Sequence, residues 1–254
     1  MALEIKRLHL ASLQGLDGSR WPVHGFVVTH PGGAVLVDTG VGGPQRALDD
    51  WRVVNRSVAD ALADYDMSPA DIGLVINTHL HFDHCGWNTT LTEDGRVVPT
   101  FPNARYFVHR GEVEHGHLQL ERDAVSYISE NYDPLIASGQ MTLIEPPAGG
   151  MEIVPGVSVE VYPGHTAQMM AVMLDSGGRR ACYISDLMPT SAHLDVTWVT
   201  GYDLDPLTSI EQRKRFLSRA IPERWLVLFT HDHHHPMGYV EWGAKGKPQL
   251  KPAF

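Results

Sequence analysis

The amino-acid sequence predicts an α/β (α+β) protein with two β-sheets and with helices on their outer sides. Short apolar runs rich in Val and Ile recur along the chain, and Gly, Pro or Asp residues bound most of them. Helical spacing of apolar residues occurs between only some of these runs, which argues against a regular alternation of parallel strands and helices. One large core can be built from 254 residues, so we expect a single domain over 1–254.

Seven apolar runs have the length and composition of strands. They cover 25–29, 34–37, 74–77, 105–108, 157–161, 181–184 and 225–229. A Pro-Gly-Gly segment at 31–33 separates the first two runs, which predicts a hairpin turn. In the run 157–161 valines alternate with Ser158 and Glu160, so we expect one buried face and one exposed face.

Helices are predicted between some of these strands. Apolar residues at helical spacing predict a helix over 55–65. The mixed stretch 111–132 is expected to contain one or two helices, and 209–220 another. Thr208 or Ser209 would cap the last of these, since hydroxyl side chains satisfy the first free amide groups of a helix.

The balance of charges weighs against nucleic acid as a partner. Lys and Arg number 20, Asp and Glu number 30, and the formal net charge is −10. The phosphate backbone repels a surface of this sign. The dense basic run Arg213, Lys214 and Arg215 falls within a predicted helix, and we interpret it as a solvated face. We therefore expect no nucleic-acid partner.

The two cysteines and the N-terminal residues indicate a cytoplasmic protein. Cys85 and Cys182 are too few for a disulfide framework in this chain, and we interpret them as buried thiols. The first residues contain no apolar segment typical of a secretory signal, and no run has the length of a membrane span. The sequence thus favours a reduced, soluble protein without membrane contact.

The densest cluster of candidate ligands follows the predicted strand 74–77. Three of the 15 histidines, His79, His81 and His84, fall with Asp83 inside six consecutive residues. Imidazole suits zinc, and a carboxylate adds a hard oxygen and a negative charge. Placing so many ionisable groups beside an apolar strand is costly unless a cation neutralises them. The cluster therefore predicts a metal site.

Three further candidates also come directly after predicted strands. His165 follows the run 157–161 after a Pro-Gly turn, Asp186 follows 181–184, and His231 follows 225–229. Any one of them alone would be interpreted as an ordinary polar loop residue. Together with the 79–84 cluster they place ligands at the ends of four strands, which predicts that they converge.

The pattern 79–84, His-Leu-His-Phe-Asp-His, resembles the His-x-His-x-Asp-His signature of the metallo-β-lactamase superfamily. Further segments of that family follow in its order: Val-Leu-Val-Asp-Thr-Gly at 35–40, Pro-Gly-His-Thr at 163–166, Ser-Asp at 185–186 and His-Asp at 231–232. The resemblance covers nearly the whole chain. It implies an αββα four-layer sandwich, with two central mixed β-sheets flanked by helices and the metals at one edge.

The resemblance also implies two divalent metal ions. Zinc is the first choice for these ligands, with Mn²⁺, Co²⁺ or Fe²⁺ as alternatives. His79, His81 and His165 would bind one metal, Asp83, His84 and His231 the other, and Asp186 would bridge them. A bridging water would be the nucleophile. Asp83 would relay a proton to the leaving group, and Asp38 would orient a ligand histidine unless it is simply a turn residue.

Within the superfamily the sequence resembles N-acyl homoserine lactonases and the phosphotriesterase-like methyl parathion hydrolases. The segment 21–26, Trp-Pro-Val-His-Gly-Phe, is similar to an N-terminal segment of the lactonases. Lactonases commonly carry a tyrosine three residues after the bridging aspartate, where this chain has Pro189. His193 could supply the acid in its place, since histidine often has this role. We therefore predict Asp83, Asp186 and His193 as catalytic residues.

The resemblance therefore implies a dinuclear hydrolase in which a bridging hydroxide attacks the carbonyl of a small lactone or ester. Hydrolysis of phosphotriesters is the alternative within the same chemistry. An alternative from another class is a metal-binding sensor or structural relative without catalysis, and the complete ligand set favours the enzyme. A small molecule is the expected partner, and the resemblance favours a homodimer.

Overall fold

Each half of the chain is organised around one seven-stranded mixed β-sheet. The computed structural model describes residues 4–14, 18–31, 33–42 and 53–253. These residues divide into two units, an N-terminal unit up to Glu145 and a C-terminal unit from Pro146 onward. The two mixed sheets, together with the helices, confirm the predicted fold class. The single domain over 1–254 stays a prediction.

The strands of the N-terminal unit are β1 (Ile5–Gln14), β2 (Arg20–Val28), β3 (Ala34–Val37), β4 (Val54–Asn55), β5 (Ile72–Ile76), β6 (Thr89–Leu91), β7 (Val97–Pro99), β8 (Arg105–His109) and β9 (Met141–Ile144). Seven of them form a sheet with the order β4-β1-β2-β3-β5-β8-β9, and β6 pairs with β7 separately. The first three pair antiparallel, and β3, β5, β8 and β9 are parallel neighbours. The predicted hairpin between β2 and β3 is confirmed, although Gly32 in its turn lies outside the described residues.

The sheet of the C-terminal unit follows the chain from β10 to β16. Its strands are β10 (Met151–Val154), β11 (Val157–Val161), β12 (Met170–Ser176), β13 (Arg179–Tyr183), β14 (Leu226–Leu228), β15 (Met237–Trp242) and β16 (Pro248–Pro252). All neighbours are antiparallel except β13 and β14, because a helix connects these two and returns the chain to the same end of the sheet.

The described α-helices are α1 (Val58–Ala63), α2 (Phe82–Cys85), α3 (Arg110–Leu118), α4 (Asp133–Ala137) and α5 (Pro206–Ala220). Short 3-10 helices cover Pro69–Asp71, Gly86–Asn88, Ala124–Ser126, Ser129–Asn131, Ser185–Leu187, Ser191–Leu194 and Ala244–Gly246. The stretch 111–132 therefore holds most of one α-helix followed by 3-10 turns. No helix in the described part of the chain is long and apolar enough to cross a bilayer.

The predicted start of α5 is wrong by three residues. The helix begins at Pro206, and the carboxylate of Asp205 accepts a hydrogen bond from the amide of Thr208. Aspartate is as good an N-cap as serine, and proline is favoured at the first helical position because it has no amide hydrogen to satisfy. Asp205 and Pro206 therefore set the start of the helix, in place of the predicted caps Thr208 and Ser209.

Two interpretations of charged residues are also wrong. Arg213 is fully buried, whereas its neighbours Lys214 and Arg215 are exposed. Arg213 shares one face of α5 with the buried residues Phe216 and Leu217, so helical periodicity and not local charge decides its burial. Glu160 is buried as well, although strand alternation predicts it to be exposed, because the guanidinium of Arg219 pairs with both of its carboxylate oxygens.

The inner face of α5 packs into the apolar core of the C-terminal unit. Phe216, Leu217 and Ala220 contribute to a cluster that includes Trp225, whose ring centre lies 5.7 Å from that of Phe216. Close packing of this kind makes buried leucines costly to truncate. The helix is therefore fixed against its sheet by side chains spaced three and four residues apart.

Two leucines of α5 provide a matched test of this packing. Leu217 is buried and Leu207 is 75% exposed. We expect Leu217→Ala to lower the free energy of unfolding by about 2–5 kcal/mol, because it opens a cavity in the core. Leu207→Ala should stay within about 0.5 kcal/mol of the wild type. Urea unfolding of both variants measures the difference, and equal effects would contradict the packing described for α5.

Candidate metal centre

Three histidines are held together in the loop that leaves β5 in the N-terminal unit. His79 and His84 are fully buried and His81 is nearly so. The ring centre of His79 lies 4.5 Å from that of His81 and 4.0 Å from that of His84. The backbone turns at once into α2, with His81 at its N-cap, and this turn brings His84 back toward His79. The three histidines that the sequence places close together are therefore also close together in the folded chain.

Asp83 completes this set of donors. One of its carboxylate oxygens lies 3.7 Å from Nε2 of His84, and the side chain is only slightly exposed. His79, His81, Asp83 and His84 all belong to groups of donors that could hold a metal ion. The N-terminal unit thus contributes imidazole nitrogens and one carboxylate, which are ligands that zinc prefers.

Asp38 orients His84 from behind. Its carboxylate lies 2.8 Å from Nδ1 of His84 and accepts hydrogen bonds from the amide and the hydroxyl of Thr78, each also 2.8 Å long. A buried carboxylate at Nδ1 favours the tautomer with the proton on that nitrogen, which leaves the lone pair on Nε2 for a metal. This contact is the one that the resemblance implies for Asp38.

A second network of polar side chains fixes the same loop. The amide nitrogen of Asn88 donates to the side-chain oxygen of Asn77 over 2.8 Å, and the hydroxyl of Thr39 donates to the side-chain oxygen of Asn88 over 3.0 Å. Asn77 also donates to the backbone carbonyl of His84. All three side chains are buried. A satisfied buried network of this kind holds the loop in one conformation.

His81 packs against a buried pair that sequence reasoning missed. Its ring centre lies 5.0 Å from that of Tyr127. The hydroxyl of Tyr127 donates to a carboxylate oxygen of Glu112, which also accepts from the amide of Leu80, both over 3.2 Å. Burial, with the charge of Glu112, raises the pKa of Tyr127, so its hydroxyl stays protonated and can donate. No local pattern marks these residues, which come from a mixed stretch of helix and turns.

In the C-terminal unit, a glycine fixes the position of His165. Gly164 has a φ of +138°, and a Cβ atom there would lie 2.4 Å from the hydroxyl oxygen of Ser209. Only glycine tolerates both the conformation and the close approach of α5. The Pro-Gly turn seen in the sequence therefore serves to bring His165 past this helix.

Asp186 lies between two histidines of the same unit. One carboxylate oxygen is 3.5 Å from Nε2 of His165, and the other is 3.4 Å from Nε2 of His231. All three residues are buried, and all three belong to groups of donors that could hold a metal ion. Two ligand atoms at about 2.0–2.1 Å from a tetrahedral zinc ion are separated by about 3.4 Å. The two separations therefore fit a carboxylate that offers one oxygen to each of two cations.

His165 has a supporting aspartate of its own, which sequence reasoning also missed. Nδ1 of His165 lies 3.1 Å from a carboxylate oxygen of Asp203, which also accepts from the hydroxyl of Thr200 over 3.0 Å. Burial alone would raise the pKa of Asp203, but His165, Thr200 and the charge of Arg213 outweigh it and lower that pKa. The carboxylate thus stays ionised and holds the proton of His165 on Nδ1, leaving Nε2 for a metal.

His193 is buried and lies in a different environment from the other histidines. Its Nδ1 is 2.9 Å from the hydroxyl oxygen of Thr190. Burial, and then the positive charge of Arg213, lower the pKa of His193 to about 4. The imidazole is therefore neutral near pH 7. Its catalytic role stays a prediction.

The two cysteines are buried thiols, as the sequence predicts. Both are fully buried and neither forms a disulfide. Burial raises the pKa of each thiol well above its ordinary value. The thiol of Cys85 lies 3.4 Å from the backbone carbonyl of Leu80, so it supports the loop 79–84. With its raised pKa, it offers no thiolate to a metal.

Comparison with known proteins agrees with these features. A sequence profile of the metallo-beta-lactamase superfamily matches residues 18–231. The chain is 25% identical over 235 residues to an N-acyl homoserine lactonase from Bacillus cereus, a match that covers 85% of this chain and 84% of that protein.

Solved structures show the same fold at low sequence identity. A probable metal-dependent hydrolase from Staphylococcus aureus is similar with a TM-score of 0.84 and 24% identity, covering 100% of this chain and 98% of the other. AidC, a dizinc quorum-quenching lactonase in complex with a product, is similar with a TM-score of 0.78 and 17% identity, covering 99% and 95% of the two chains. At these identities the likeness supports the fold alone.

The support that Asp38 gives to His84 can be tested by metal binding. We expect Asp38→Asn to weaken zinc binding by about 10–100-fold. The backbone amide of Thr78 needs an acceptor, so the NH2 group of the asparagine would face Nδ1 of His84 and could not accept its proton. Asparagine tolerates the φ of +54° at this position, so the backbone should not be disturbed. Competition with a chromophoric chelator measures the affinity.

Asp66→Asn is the control for this substitution. Asp66 has a similar φ of +56°, is exposed and belongs to none of the groups that could hold a metal ion. Its variant should bind zinc as the wild type does. If Asp38→Asn also binds zinc with wild-type affinity, Asp38 does not orient a ligand.

Proposed function

The chain belongs to the metallo-beta-lactamase superfamily and is a metal-dependent hydrolase, and we propose that it acts on small lactones or esters with two metal ions bound. The observation that carries this proposal is the carboxylate of Asp186, with one oxygen facing His165 and the other facing His231 at separations of 3.5 and 3.4 Å. A carboxylate that binds a single ion does not require its two oxygens to face different histidines.

The ligand assignment follows the order of the family signature along the chain. One ion would be held by His79, His81 and His165, the second by Asp83, His84 and His231, and both by Asp186. The imidazole and carboxylate donors favour zinc over magnesium or calcium, which prefer oxygen ligands alone. The aspartates behind His84 and His165 support this assignment, because each leaves Nε2 as the ligand atom.

Bound cations and protein side chains would each contribute to the hydrolysis. Divalent cations at such a site supply a nucleophile at neutral pH and a Lewis acid for the oxygen under attack. Hydrolysis adds a water oxygen to the acyl carbon, breaks the bond from that carbon to the leaving oxygen, and transfers a proton to the leaving oxygen. Asp83, whose side chain is slightly exposed, would accept the proton of the water and pass it to the leaving oxygen, as the resemblance implies.

His193 would assist the leaving oxygen as a hydrogen-bond donor. Burial lowers the pKa of His193 to about 4, so the neutral imidazole would act as a hydrogen-bond donor near pH 7. A neutral imidazole has one N–H, and this N–H is on Nε2, available to a substrate, when the hydroxyl of Thr190 donates to Nδ1. Pro189 has no hydroxyl, so a donor to the leaving oxygen of a lactone would come from another residue.

Lactones stand first among the substrates because the curated relatives that match most of this chain are N-acyl homoserine lactonases. One observation favours a second candidate. Pro189 stands where lactonases commonly have a tyrosine, and a phosphotriester, whose leaving group can depart without a proton, would need no donor there. Hydrolysis of phosphotriesters is therefore the alternative within the same site.

A substrate panel tests the proposed function. We expect zinc-loaded protein to hydrolyse lactones and aryl esters faster than phosphotriesters. Asp186→Asn should lower kcat/KM by about 10³-fold or more, since loss of a shared ligand disturbs both ions. Asp175→Asn is the control, because Asp175 is exposed in β12 of the same unit. Full activity of Asp186→Asn, or no hydrolysis of any substrate by the zinc-loaded wild type, would contradict the proposal.

Two variants of His193 separate a hydrogen-bond donor from a general acid. His193→Gln keeps an N–H donor and should retain kcat for a lactone within about tenfold, whereas His193→Phe should lose about 10²-fold or more. Stopped-flow or pH-indicator assays at pH 7 measure both. Equal losses in the two variants would indicate that His193 delivers a proton of its own.

A further inference from the structure

The guanidinium of Arg213 is the most unusual buried charge in the C-terminal unit. The side chain is fully buried in the middle of α5. Desolvation of an arginine is costly, and a well-packed apolar side chain often serves a core at least as well. Burial is also strong enough to lower the pKa of Arg213 despite the nearby charge of Asp203. A charge kept at such a cost needs a specific role.

The first contact of Arg213 supports Asp186. Its Nε donates to the backbone carbonyl of Leu187 over 2.6 Å. Leu187 directly follows Asp186 in the same 3-10 turn, and Ser185 at the start of this turn has a strained φ of +52°. The hydrogen bond from Arg213 therefore holds a turn that contains a residue in a strained backbone conformation.

The second contact supports His165. Nη2 of Arg213 lies 3.5 Å from one carboxylate oxygen of Asp203, and the other oxygen of that carboxylate holds Nδ1 of His165. The backbone beside Asp203 binds the same loop, because the amide of Leu204 donates to the carbonyl of His165. Asp203 thus links Arg213 to the histidine through its two oxygens.

The remaining contacts of Arg213 fix the segment that carries Asp203. Nη1 donates to the carbonyl of Trp198 over 2.5 Å and to that of Val196 over 3.3 Å. Several acceptors from three stretches of chain therefore meet at one planar group. Lysine could not reproduce this geometry, since its single nitrogen cannot span acceptors that a five-donor fork reaches.

We propose that Arg213 is a positioning residue that fixes two metal ligands of the C-terminal unit, Asp186 through Leu187 and His165 through Asp203, without touching a metal or a substrate. This inference rests on the proposed function, because it assigns a role toward the metal ions. It extends that function by making the metal affinity of the protein depend on a residue of α5 that contacts neither ligand.

Zinc affinity and the cobalt absorption spectrum test the proposal. We expect Arg213→Lys to weaken zinc binding about tenfold or more, which is the effect of losing support behind a metal ligand. The d–d bands of the cobalt-loaded variant should shift, because they report the geometry around the ion. Arg213→Met should weaken zinc binding further, and Arg213→Lys decides the question alone if the methionine variant does not fold.

Lys214→Met is the matched control, since Lys214 is the exposed neighbour on the same helix. It should bind zinc and cobalt as the wild type does. If folded Arg213→Lys keeps both the wild-type zinc affinity and the wild-type cobalt spectrum, while circular dichroism or urea unfolding shows lower stability, Arg213 is only structural and the proposal is overturned. If the wild type itself binds no zinc, the proposed function fails first.

Combination with Asp203→Asn tests the route through Asp203. We expect the double variant to lose less zinc affinity than the product of the two single losses, because both substitutions interrupt one path to His165. Losses that simply multiply would overturn this route. Asp205→Asn is the control, as Asp205 is exposed two residues away and asparagine can still cap α5.

Discussion

The carboxylate of Asp186 lies between the imidazoles of His165 and His231, and the proposed chemistry depends on this arrangement. Each carboxylate oxygen faces a different ring at 3.4–3.5 Å, a separation that fits two ligands of one tetrahedral zinc ion. Burying a carboxylate and two imidazoles together is unfavourable in an apolar interior unless a cation balances them. Under the proposed function, this cost to the metal-free protein is offset when ions bind between these side chains.

In each unit, a buried aspartate supports one histidine that could bind a metal. Asp38 holds Nδ1 of His84, and Asp203 holds Nδ1 of His165, both as buried carboxylates. In each case the carboxylate favours the tautomer with the proton on Nδ1, which leaves the lone pair of Nε2 for a metal. The carboxylates are themselves held, Asp38 by Thr78 and Asp203 by Thr200 and Arg213. Rigid support behind the ligands is what lets a metal site keep its geometry through a reaction.

The sequence was sufficient to predict features that depend on local patterns. Strand-length apolar runs predicted the strands that end at the ligands, and the density of His and Asp over 79–84 predicted the clustered loop. The sequence was not sufficient to predict the contact between Asp203 and His165, which are 38 residues apart and share no motif. It was also not sufficient to predict that Glu112 and Tyr127 pair beside His81. The burial of Arg213 could have been inferred, since it shares a helical face with Phe216 and Leu217, but its basic neighbours suggested a solvated surface. Contacts between distant segments are set by packing, which one sequence does not display.

Anomalous diffraction at the zinc edge, from crystals of the zinc-loaded protein, tests the central claim most directly. Two bound ions that share Asp186 predict two anomalous peaks, each at about 2.0–2.2 Å from a different oxygen of that carboxylate. A single peak, or peaks that lie away from Asp186, would contradict a dinuclear centre bridged by this residue.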